Sequence, residues 1–180
     1  TTIGAQRTKH PRPRATPEER KDVDFVFTGM TEFGARSEQR LYHSKDHYFA
    51  SSVIRSLNAS EWLGEATSAL SCRRWVLDSL RPVLSDLAPQ WKIRADDCII
   101  RGASAAGARK LFLAHTTVDY RVHGANSFAS KPLDLTQHRQ HWIRTYCFMN
   151  RVNNHLGLTP EMVRHAHLEF TQIPHPRRAD

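Results

Sequence analysis

Long apolar runs are missing from this sequence. No stretch approaches the ~20 residues a membrane-spanning helix needs, so no helical span is expected within it. Cysteine is scarce: the three present, Cys72, Cys98 and Cys147, are far apart and odd in number. Such a set supplies neither a disulfide framework nor a zinc site, and it suits a reducing compartment. The opening TTIGAQRTKHPRPR lacks the apolar segment of a secretory signal. Acid is in short supply, with 18 Asp and Glu against 26 Lys and Arg and a formal net charge of +8. That excess is spread along the chain and leans toward anionic partners such as nucleotide phosphates, nucleic acid or a lipid surface; plain solubility is the alternative. No internal repeat is visible.

What is present fits one domain with a core of its own. The apolar fraction, 39%, is below a typical globular mix but well above a disordered one. Residues 1–16 read as an extended basic arm broken by Pro11 and Pro13. TPEER follows as a short helix start, with Thr16 as cap and Pro17 at the first helical position. DFVFTGM (24–30) reads as a strand, and TEFGARSEQ as a turn at Gly34. In DHYFASSVIRSL (46–57), Tyr48, Phe49, Val53, Ile54 and Leu57 fit one helical face. GEATSALSC (64–72) is a small-residue segment, and RRWVLDSLRPV is a helix stopped by Pro82. ADDCIIRGASAAG (95–107) has acids at the start and Gly107 at the end, as a helix would. ARKLFLAH is a strand, and YRVHGANSF (120–128) a loop. A long helix from about 135 to 156 would turn Trp142, Ile143, Tyr146, Met149, Val152 and Leu156 to one side. GLTPEMVRHAHLEF adds a last helix capped by Thr159. The order predicts an α/β or α+β fold with a small mixed sheet of few strands and a helical C-terminal end.

Two places hold side chains able to do chemistry. Asp96 and Asp97 begin the mid-chain helix. Their plain reading is a cap with a first-turn acid; the alternative is a carboxylate that takes a proton from a hydroxyl or holds a metal. Arg121, His123 and Asn126 share the loop after the following strand. A helix and a strand of that length return the chain to the end of the sheet where the helix began, so acids and loop are expected to converge.

The ordered set GEATSALSCRRWVLDSLRPV, then W-x-I-R-ADDCIIRGASAAG, then ARKLFLAHTTVDYRVHGANS resembles the C-terminal half of a family 2 glycosyltransferase of the GT-A fold. DVDFVFTGMTEFG resembles the strand and turn that follow that family's metal site, and NNHLGLTPEMVRHAH its bacterial tails. The likeness extends over about residues 20–170. It implies a GT-A-like region at 17–134, after the arm at 1–16 and before a helical extension at 135–180. It also implies an inverting enzyme that moves a sugar from a nucleotide-sugar donor to a hydroxyl of a saccharide or lipid-linked acceptor, in polysaccharide biosynthesis. Asp97 would be the general base, with Asp96 orienting it or touching the acceptor. Arg121, His123 and Asn126 would serve the nucleotide diphosphate, and His123 would lie at a divalent cation, Mn or Mg. Thr67, Ser68, Trp62 and Trp91 would line the acceptor side. The expected location is the cytoplasm, with peripheral contact at the inner membrane.

One departure stands beside the likeness. The family's nucleotide-binding half, ending in Asp-x-Asp after an apolar strand, has no counterpart here. Asp22-Val23-Asp24 precedes its apolar run and reads as a strand lead-in with solvated acids. This chain alone is therefore expected to be inactive. His43 and His47, four apart, lack a third metal ligand nearby. His138 and His141 read as surface residues, and His165 and His167 diverge on their helix. The competing functions are a basic nucleic-acid-binding module, disfavoured because no binding motif is present, and a non-catalytic interaction domain.

Overall fold

The computed structural model describes residues 22–59, 61–87, 95–123 and 134–172. The predicted arm, the TPEER helix start, Trp91 and Asn126 lie outside the described residues. The sheet is mixed and five-stranded, in the order β2-β1-β5-β3, with β4 also paired to β1. Its strands are β1 (Phe25–Gly34), β2 (Glu38–Arg40), β3 (His47–Ser51), β4 (Leu70–Cys72) and β5 (Arg109–Val122). The helices are α1 (Val53–Ala59), α2 (Arg74–Leu87), α3 (Ala95–Ala105), α4 (Leu135–His155) and α5 (Pro160–Gln172), and a short 3-10 turn spans Thr67–Ala69.

β1 and β5 form the parallel centre, in register from Phe25 opposite Lys110 to Gly34 opposite Val122. Register shifts around Gly29 absorb the extra residues of β5. Parallel central strands are covered by helices. Here Phe25, Phe27, Phe49 and Phe112 from the sheet share one core with Val76 and Leu80 of α2, Ile100 of α3, and Phe148 and Val152 of α4. Phe27 packs at 5.2 Å from Phe112 and 6.0 Å from Phe49 between ring centroids.

Several elements depart from the expectations above. The expected helical face at 46–57 divides. His47–Ser51 pairs antiparallel with β5, and the helix starts only at Val53. Aromatic residues favour a strand there, and Ala50, at φ 52°, marks the irregular step in the pairing. The turn expected at 31–39 begins later, because β1 continues to Gly34 before β2 returns antiparallel. Gly34 takes φ 99°, which suits a glycine at that reversal. Pro82 does not stop α2, which runs on to Leu87. Pro82 is exposed, so the carbonyl it leaves without a helical donor faces solvent. Tyr120–Val122 belong to β5 and not to a loop.

Asp24 corrects another expectation, since it is buried and not solvated. Its carboxylate accepts from the Arg109 backbone N–H at 3.0 Å, Arg109 Nε at 2.9 Å and Trp75 Nε1 at 3.3 Å. Burial alone would raise its pKa, but these hydrogen bonds outweigh it and hold the carboxyl below its ordinary value. The residue fastens the start of β1 to the start of β5.

Candidate active site

The fold opens a cavity of about 480 Å³ lined by Met30 of β1, Arg40 of β2, Trp62, Glu65 and Ala66, Asp96, Asp97 and Arg101 of α3, Tyr120 of β5 and His141 of α4. Each side chain arrives there for a local reason. Helix α3 begins with its two acids in the first turn, where backbone N–H groups favour negative charge. Asp96 Oδ1 accepts from the Asp97 N–H at 2.9 Å, and Asp97 itself is buried, only 3% exposed. The 61–66 segment reaches α3 closely because Gly64 has no side chain: a Cβ there would lie 2.4 Å from Ile100 Cδ1. Tyr120 faces the cavity because β5 continues its alternation past Thr116 and Val118.

The two oxygens of Asp97 differ. Oδ1 accepts from Arg101 Nε at 2.8 Å, one helical turn along. Oδ2 is buried without a hydrogen-bond partner among the described residues, and His141 Nε2 lies 3.7 Å from it. A carboxylate that lines a cavity, held at one oxygen by a guanidinium and with the other oxygen lacking a hydrogen-bond partner among the described residues, can accept a proton from a bound hydroxyl. Glu65 stands across the cavity, 7% exposed. Burial raises its pKa; Arg40, 3.8 Å away, opposes that rise, while Glu32 and Asp96 add to it. Arg40 is also engaged by the buried Glu32 carboxylate at 3.2 Å. Burial, with the nearby Asp97 and Asp96 charges, pushes the Cys98 thiol up to about 12, so it is no nucleophile.

Of the residues singled out from sequence, Asp96, Asp97 and Trp62 line this cavity. Thr67 and Ser68 are exposed on the 3-10 turn directly after Ala66, at its margin. Arg121 and His123 are exposed at the end of β5 and do not line it, although Tyr120 beside them does. Arg121 projects to the other face of β5 from Tyr120 by strand alternation. Among the described residues no group of three or more His, Cys, Asp or Glu side chains is placed to hold a metal ion. The described side chains around His123 therefore do not make up a divalent-cation site, and no chemical step is assigned to one.

Sequence reasoning left out Glu65, Tyr120 and His141. His141 was expected at the surface; it is instead half-buried against Asp97. Its position two turns before Phe148, on the stripe that continues to Val152, was the available signal. No helix among the described residues is long and apolar enough to cross a membrane. No protein family, curated protein or solved structure matches the chain.

Proposed function

We propose that this chain carries the catalytic base and acceptor side of a GT-A-like glycosyltransferase that moves a sugar from a nucleotide-sugar donor to an acceptor hydroxyl with inversion. The observation that carries the reading is Asp97: buried, fastened through Oδ1 to Arg101, with Oδ2 left without a hydrogen-bond partner among the described residues, and lining the same cavity as Trp62. Its place at the start of α3 is the one the family resemblance assigns to the general base. In the proposed reaction the acceptor oxygen attacks the anomeric carbon while Asp97 Oδ2 takes its proton. The new glycosidic C–O bond forms as the bond to the diphosphate breaks, and the diphosphate leaves with the electron pair. Trp62 offers an indole face to the apolar side of a sugar ring. Arg121 and His123, near the end of the strand that bears Tyr120, are assigned to the diphosphate by resemblance alone, as are the divalent cation, the lipid-linked class of acceptor and the cytoplasmic, membrane-peripheral location.

The test is to titrate uridine and guanosine diphosphate-sugars, with manganese or magnesium, against the full-length protein, with a random oligonucleotide in parallel. Sugar transfer that falls about a thousandfold in Asp97→Asn, with donor binding close to the parent's, is the expected result. Salt-sensitive oligonucleotide binding without any response to sugar nucleotides would replace this reading with a nucleic-acid-binding one.

A further inference from the structure

We infer that His141 is a positioning residue that sets the proton affinity of Asp97 Oδ2, the oxygen beside it; this rests on the glycosyltransferase reading of Asp97. Three observations meet here. His141 Nε2 stands 3.7 Å from Asp97 Oδ2, the oxygen without a hydrogen-bond partner among the described residues. The imidazole is 25% exposed and the carboxylate 4%, so the imidazole exchanges protons with solvent more readily than its neighbour. Finally, α4 holds the ring in place, because His141 lies on the same helical stripe as Phe148 and Val152, which are anchored in the core.

The consequence follows from charge. Asp97 already has a permanent cation at Oδ1, the Arg101 guanidinium. An imidazolium at Oδ2 adds a second cation, holds the carboxylate as an anion and weakens it as a base. A neutral imidazole removes that restraint, and Oδ2 recovers its affinity for the acceptor's proton. The other ionisable groups lining the same cavity are Arg40 from β2, Glu65 from the segment before the 3-10 turn, Asp96 from α3 and Tyr120 from β5. Of these lining side chains, histidine alone has an ordinary pKa near neutrality, which makes it the group that gates the base in the physiological range.

The experiment uses the full-length protein with isotope-labelled histidine, the His141 resonances being identified by their loss in His141→Gln. The first readout needs no substrate. The His141 titration midpoint falls by about one unit in Asp97→Asn, because the partner charge is gone; an unchanged midpoint overturns the inference. The second readout is transfer from a uridine or guanosine diphosphate-sugar. In the parent, kcat drops about three- to tenfold as pH falls through the His141 midpoint, whereas in His141→Gln that limb is flat and the acceptor KM stays at the parent value. A limb that persists in His141→Gln, in an active enzyme, refutes the role of His141 and leaves the glycosyltransferase reading standing. A parent that transfers from none of these donors overturns the glycosyltransferase reading, and the role of His141 with it, even where the two groups titrate together.

Discussion

Lys110 lies wholly inside the protein on β5, where Nζ donates to the carbonyls of Leu63 at 3.0 Å and Ile100 at 2.8 Å and stands 4.5 Å over the Phe25 ring. It joins three pieces that surround the site: the 61–66 segment, α3 and the central strand. Burial, aided by the Arg101 charge, brings its pKa from 10.5 down to about 7. Folding thus disfavours the charged form, and the sign of the pH effect follows. The cost of burying the ammonium is fully present below the folded pKa and disappears as pH rises toward the unfolded one. Parent stability is expected to climb between pH about 7 and 10.5 relative to Lys110→Met, which has no charge to bury. Urea midpoints of both proteins at several pH values across this window check it; a constant difference would mean that Lys110 keeps its proton on folding. Nothing local announces this lysine as buried. ARKLFLAH reads as a strand, but only the approach of the 61–66 segment and of α3 supplies the two carbonyls that make burial tolerable.

Among the elements, α4 shows how a correct helix can carry a misjudged face. The apolar residues Trp142, Ile143 and Tyr146 suggest the inner side, yet they are 67%, 48% and 57% exposed. The buried stripe runs instead through His141, Thr145, Phe148 and Val152. Periodicity finds the helix because its period is local; it does not settle the face where apolar residues surround more than half of the circumference. Phe148→Ala is expected to cost about 3–5 kcal/mol of stability. Trp142→Ala should cost under about 1 kcal/mol, the indole losing mainly its stacking on Tyr146. Denaturant unfolding of the two variants compares them directly, and equal losses would contradict this orientation of α4. β5 teaches the converse. The crowding of Arg, His and Asn at 120–128 suggests a loop, yet pairing with β1 as far as Val122 makes Thr116–Val122 strand.

For the molecule as a whole, the site exists only where six stretches of chain meet. The acid pair on a helix start, the Trp-Leu-Gly-Glu segment and the last helices are distant in sequence, and the cavity forms because α3 packs on α1, α2 and α4 while β1 and β5 run side by side. Gly64 is one point on which that meeting depends. Gly64→Ala would press a methyl into Ile100, and it is expected to cost about 1–3 kcal/mol. Because the shift falls between the segment bearing Glu65 and the helix bearing Asp97, acceptor KM should rise along with the loss of stability. Thermal unfolding and transfer kinetics measured together check this; a variant as stable as the parent would show that Ile100 yields without disturbing α3.

Local pattern is enough for a mixed α/β content, for a helix that has Asp96 and Asp97 in its first turn, and for α4 and α5 near 135 and 160. Those properties depend on residue spacing and on caps a few positions away. Contacts across the fold set the rest: that Asp97, whose Oδ1 meets Arg101, has Oδ2 beside His141, that Asp24 and Lys110 are buried, and where Arg121 and His123 stand. These depend on which helix face the core selects and on how far two parallel strands stay paired, and both are set by contacts between residues far apart in the chain.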